Sequence, residues 1–132
     1  MDEPVRKVLF VDDEINIRQS FADYFEDNLW ETLQAENGEQ ALEILKTESP
    51  HGAVVDIRMG GMDGNTFIRN AYDKNPNLNF IICTGSPEYD VPQDLKDLPR
   101  ISNTLFRKPV ADMAELEQTL SRLIKANQKK DL

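Results

Sequence analysis

The chain predicts an α/β fold: a parallel sheet covered by helices on both faces. Two observations carry this. Short apolar runs, Val8-Leu9-Phe10-Val11, Ala53-Val54-Val55 and Phe80-Ile81-Ile82-Cys83, each stop at a turn, as buried parallel strands do. Between them lie segments with apolar residues at helical spacing, so strand and helix alternate along the chain.

Taken in order, residues 7–11 form the first strand and residues 14–28 a helix, with Ile17, Phe21, Tyr24 and Phe25 on one face. Residues 31–35 are a weak second strand. Asn37-Gly38 marks a turn and helix start, and residues 39–47 form the second helix, apolar at Ala41, Leu42 and Leu45. A Ser49-Pro50-His51-Gly52 loop leads to the third strand, 53–56. The loop Gly60-Gly61-Met62-Asp63-Gly64 precedes a third helix, 66–74, and residues 79–84 are the fourth strand. Pro87, Pro92 and Pro99 break the next stretch and leave room only for a short fourth helix, 93–98. A fifth strand spans 104–107. Asp112 and Glu115 form a start signal for a fifth helix that runs to about residue 127, with Leu116, Leu120, Leu123 and Ile124 as its core stripe.

The 132 residues fit a single domain, with a core of about 6–127 and a polar tail, 128–132. Hydrophobic residues make up 39% and charged residues 30%, which places the chain in the globular class. The net charge of -9 argues against direct binding to nucleic acid or an anionic membrane. One cysteine, Cys83, excludes an internal disulfide and points to a reducing cytoplasm. No apolar stretch approaches membrane-spanning length, and Met1-Asp2-Glu3-Pro4 has no signal-peptide pattern.

The chemistry sits at strand ends. Asp12 and Asp13 follow the first strand, and Asp56 ends the third. Ligands in open α/β sheets bind beyond the carboxyl ends of the strands, so these carboxylates are expected to converge. Two unit charges about 4 Å apart repel by roughly 4 kcal/mol at an effective dielectric of about 20. Such a site calls for a cation, and an oxygen-only site suits Mg²⁺.

Val11-Asp12-Asp13-Glu14, Asp56-Ile57-Arg58-Met59, Gly61-Met62-Asp63-Gly64, Thr84-Gly85 and Lys108-Pro109 follow the first, third, third, fourth and fifth strands in turn. In that set and order the chain resembles a response-regulator receiver domain, the phospho-accepting module of two-component signalling. The resemblance covers residues 7 to about 126. It implies a flavodoxin-like (βα)5 three-layer sandwich with strand order 2-1-3-4-5, which makes strands one and three neighbours. It implies that Asp56 accepts the phosphoryl group, and that Asp12, Asp13, Asp56 and the main-chain carbonyl of Arg58 hold Mg²⁺. Lys108 and Thr84 are then the groups that meet the phosphoryl oxygens, and Pro109 resembles the family's cis-proline. The implied partners are a histidine kinase or phosphotransfer protein as donor and an unidentified output partner or output domain, with a dimer as a further option.

Two departures stand out. Gly60 replaces the family's usual proline. Leu105 stands where many receivers place Tyr or Phe, with Phe106 beside it on the opposite face. Arg58 and Ser86, two residues beyond Asp56 and Thr84, are positions implied to tune phosphoryl loss, and slow to moderate loss is expected.

Taken singly, Asp13 reads as a helix N-cap, Lys108 as a solvated lysine, Cys83 as a small core residue and His51 as solvated. Three other functions compete: a Mg²⁺-dependent phosphohydrolase, a flavin-binding protein of the same topology, and a receiver scaffold that is never phosphorylated. The phosphohydrolase reading expects an alternating Asp-x-Asp, absent here. The flavin reading expects a Ser/Thr/Gly-rich loop where Asp12-Asp13-Glu14 stands.

Overall fold

A computed structural model describes residues 5–129. The acidic N-terminus and the end of the polar tail, 130–132, lie outside the described residues. The strands are β1 (Lys7–Val11), β2 (Glu31–Ala35), β3 (Gly52–Asp56), β4 (Asn79–Thr84) and β5 (Phe106–Arg107). The helices are α1 (Ile15–Asp27), α2 (Gly38–Ile44), α3 (Gly64–Tyr72) and α4 (Met113–Lys129).

All five strands pair in parallel, in the order β2-β1-β3-β4-β5. Alternate residues of each strand feed opposite faces. Leu9, Val11, Ala53, Val55, Phe80 and Ile82 join Phe67, Ile68 and Ala71 of α3 in one core layer. Val8, Phe10, Val54, Ile81 and Cys83 join Phe21 and Phe25 of α1 and Leu116, Leu120 and Ile124 of α4 in the other. Phe10 meets Phe21 and Phe25 at ring-centroid distances of 5.5 and 5.2 Å, and Trp30 closes the stack on Phe25 at 5.2 Å.

Helix starts follow local chemistry. The Asn37 side chain accepts the Gln40 N–H, Asp63 accepts the Thr66 N–H, and Asp112 accepts the Glu115 N–H. Each satisfies an amide that the first turn leaves open. Asp13 plays no such part: α1 is entered at Glu14, whose side chain makes no capping bond.

The segment between β4 and β5 corrects the sequence reading. The helix expected at 93–98 is absent, so among the described residues the sheet carries four helices rather than the five of a full (βα)5 unit. Pro92 and Pro99 bracket the stretch, and a single turn, closed by the Leu95 and Lys96 N–H groups on the Pro92 carbonyl, forms before Asp97 goes to φ 71°. One such turn does not offset the cost of helix nucleation. Side chains hold the segment instead. Arg69 of α3 binds both oxygens of Asp94 at 2.7 and 3.0 Å, and Leu95 is buried. Arg100 donates to the Tyr72, Asn75 and Leu78 carbonyls at 2.7–2.9 Å and stacks 3.7 Å above the Tyr72 ring. β5 is also shorter than the expected 104–107, because Thr104 is exposed and Leu105 makes no ladder pair, although Ile101 bridges to Phe80 upstream.

His51 is a second correction. It is half-buried, and its Nδ1 accepts the Lys7 N–H at 3.0 Å, which ties the start of β1 to the loop before β3.

Candidate functional site

Strand order assembles the site. β1 and β3 are neighbours, with Val11 level with Val55, so the residues just beyond them share one edge of the sheet. One carboxylate oxygen each from Asp12, Asp13 and Asp56 lies within 4.8 Å of the others. Asp12 and Asp56 are 3% and 5% exposed, whereas Asp13 faces solvent. The buried pair is therefore fixed and the third acid is free to adjust.

Asp12 is held from three sides. One oxygen accepts the Glu14 N–H at 2.9 Å, the other lies 2.6 Å from Lys108 Nζ, and its main-chain carbonyl accepts from Arg18 at 2.7 Å. Lys108 reaches Asp56 as well, at 3.3 Å. The ammonium thus bridges both acids and sits nearer Asp12 than Asp56. It arrives there from β5 through the Lys108 N–H to Thr84 carbonyl bond at 2.9 Å, and the Lys108–Pro109 peptide is cis.

Burial pushes the Asp56 carboxyl up to about 6; the charge of Asp12 adds to the rise and Lys108 opposes it. Burial alone would lower the Lys108 ammonium, but the hydrogen bond and charge of Asp12, with the charge of Asp56, hold it above its ordinary value. The site therefore retains net negative charge around one lysine, and an added cation would relieve it. Its donors are all carboxylate oxygens, the set that suits Mg²⁺.

Thr84 is fully buried at the end of β4, and its Oγ1 accepts the Ser86 N–H at 3.1 Å. Ser86 is itself nearly buried. A depression of about 370 Å³ opens over Asp56 and Lys108, lined also by Glu14, Arg58, Gly85, Ser86, Pro87 and Glu88. Leu105 packs against the α2–α3 core layer and Phe106 enters the opposite one.

Four residues here were missed in the sequence. Glu14 and Glu88 add carboxylates to the rim, Arg18 supports Asp12, and the Arg107 guanidinium donates to the Ser86 and Tyr89 carbonyls. Glu14 stood inside a quoted motif. The other three carry no motif: Arg18 lies on a helix face six residues from Asp12, Glu88 stands in an irregular loop, and the Arg107 partners are 18–21 positions away.

The model of the response regulator receiver domain matches residues 8–121. The chain belongs to that family. As a receiver domain of two-component response regulators it is a signalling domain, and phosphorylation on Asp with Mg²⁺ is typical of such domains. Receiver domains take the phosphoryl group from histidine kinases or phosphotransfer proteins. This receiver is 32% identical over 118 residues to sporulation initiation phosphotransferase F of Bacillus subtilis, covering 89% of this chain and 93% of that one. It superposes on the receiver domain of Francisella response regulator 1452 with a TM-score of 0.75 and 28% identity, covering 92% and 98% of the two chains. It shares its fold with response regulator TrrA of Thermotoga maritima, solved as a Mg²⁺–BeF complex, at a TM-score of 0.75 and 24% identity, covering 90% and 99%. Two other curated relatives are longer, and the receiver spans 24% and 27% of them. Among the described residues, no helix is long and apolar enough to cross a membrane.

Proposed function

We propose that the whole chain is one receiver domain in which Asp56 accepts the phosphoryl group, with Asp12, Asp13, Asp56 and the main-chain carbonyl of Arg58 holding Mg²⁺. The observation that carries this reading is Lys108, whose ammonium lies 2.6 Å from Asp12 and 3.3 Å from Asp56 at the point where three acids converge.

In the forward step an Asp56 carboxylate oxygen attacks phosphorus. The new O–P bond forms as the bond from phosphorus to the donor's imidazole nitrogen breaks, and that electron pair leaves with the donor. The transition state spreads charge over the equatorial oxygens, so positioning and electrostatics dominate. When bound, the divalent ion neutralises part of that charge. Lys108 turns from Asp56 to a phosphoryl oxygen, while Asp12 keeps its hold on the ammonium. The Thr84 hydroxyl donates to another oxygen and gives up the Ser86 N–H. The added charge of about -1.5 to -2 then pulls the loops after β3 and β4 inward.

The donor is a histidine kinase or phosphotransfer protein, and the readout is a partner or an output domain. A relative named as a phosphotransferase and a neighbour solved with Mg²⁺–BeF support this chemistry. Arg58 over the depression is expected to crowd attacking water and keep phosphoryl loss slow to moderate. Leu105 supplies no ring, so the response runs through Thr84. A cytoplasmic site of action and a dimer remain parts of the same proposal.

Incubation with acetyl phosphate, read by intact mass, tests it. A phosphoryl adduct is expected on the wild type with Mg²⁺, and none without Mg²⁺ or on Asp56→Ala. An adduct that persists on Asp56→Ala would place the acceptor elsewhere.

A further inference from the structure

We propose that Glu39, on the first turn of α2, is a positioning residue that clasps the β3–α3 loop and so fixes the backbone beside Asp56. The inference rests on the receiver reading of the site.

The loop runs from Ile57 to Asp63 and is pinned at its two ends. At its base the Gly64 N–H donates to the Ile57 carbonyl at 3.0 Å, and the α3 backbone comes so close that a Cβ on Gly64 would lie 2.3 Å from the Asp56 carbonyl oxygen. Between these ends, among the described residues, residues 58–61 make no hydrogen bond. A Cβ on Gly60 would meet nothing within 4 Å. Arg58, whose carbonyl is the proposed fourth metal donor, lies in this unsupported stretch.

α2 supplies the missing support. Both carboxylate oxygens of Glu39 accept the Met62 N–H, each at 3.2 Å. Gly61 adopts φ 76°, and the Glu39 carboxylate occupies the space where its Cβ would stand, 2.9 Å away. The Met62 side chain in turn covers Gly38, where an added Cβ would lie 3.0 Å from its Cγ and Sδ. Two adjacent α2 residues thus grip two adjacent loop residues, one through a charge-assisted hydrogen bond and one through close packing of the Met62 side chain over Gly38. A loop held this way presents its carbonyls in one arrangement before an ion arrives, and preorganised ligands bind more tightly.

The test uses the intact chain and three proteins: wild type, Glu39→Ala and Glu39→Gln. Amide hydrogen exchange of metal-free protein reports Met62, and calorimetric titration with MgCl₂ at low and high salt reports the site. Melting curves check that each variant folds. In Glu39→Ala, Met62 exchange is expected to accelerate and Mg²⁺ affinity to fall about threefold to tenfold, the range that the net worth of one solvent-exposed hydrogen bond supports. Glu39→Gln keeps an acceptor but loses the charge, so it is expected to recover part of both.

Equal losses in the two variants that vanish at high salt would mean Glu39 acts only as a distant charge, and would overturn the clasp. Unchanged Met62 exchange in Glu39→Ala would overturn it as well. A wild type that binds no Mg²⁺ would overturn the receiver reading of the site and the functional consequence with it, and the exchange data would show whether the clasp itself forms.

Discussion

Asp56 illustrates how burial and charge set a single side chain. Its folded value of about 6 stands above the ordinary 3.8. The folded state therefore holds the proton more tightly than the unfolded chain. That contributes stability below about pH 4, and the contribution is lost as pH rises through about 6. At neutral pH, in metal-free buffer with chelator, the ionised Asp56 weakens the fold. Asp56→Asn is expected to be more stable at pH 7.5 by on the order of 2 kcal/mol, and the gain is expected to shrink as pH falls toward 5. Thermal melts across that range check this, and a gain that does not change with pH would assign the effect to something other than this proton. Asp12, Asp13, Asp56, Thr84 and Lys108 were all legible as candidates, because each ends or follows a strand. Lys108's closer approach to Asp12 was not, since it depends on how β5 seats beside β4.

At the scale of elements, the junction of β3 and α3 fixes where Asp56 points. Gly64 admits the backbone there, and a Cβ would strike the Asp56 carbonyl and Ile57 Cα at 2.3 and 2.9 Å. Gly64→Ala is expected to cost about 2–3 kcal/mol, read as a lower urea midpoint, and to weaken Mg²⁺ binding because the strand end shifts. A midpoint equal to wild type would mean the junction relaxes freely. Strands and long helices were readable from period and punctuation. The stretch 93–98 was not, because turn and short helix share the same i to i+3 bonds. Its turns are held by Arg69–Asp94 and by Arg100 on three carbonyls of and after α3. Those bonds join residues about 22–28 positions apart, which no local window sees.

At the scale of the whole molecule, a net charge of -9 and three converging acids couple ion binding to stability. A ligand at about ten times its dissociation constant adds roughly 1.4 kcal/mol, or about 3–5 °C at this size. Mg²⁺ is expected to raise the melting temperature by that amount, and Asp13→Asn to lose most of the rise. A full shift in Asp13→Asn would place the ion elsewhere. Asp13 is the sensitive choice because it is exposed and caps no helix, so its removal disturbs the site more than the fold.

The sequence by itself determined the alternation of strands and helices, the parallel sheet and the acids at the strand ends. Each of these is written in neighbouring residues, as a period, a cap or a turn. Only the tertiary structure decided that Lys108 grips Asp12 more closely than Asp56, that residues 93–98 stay turned, and that Glu39 of α2 holds Met62. Those outcomes depend on distances between residues far apart in the chain, and such distances exist only once the sheet has set the strands side by side.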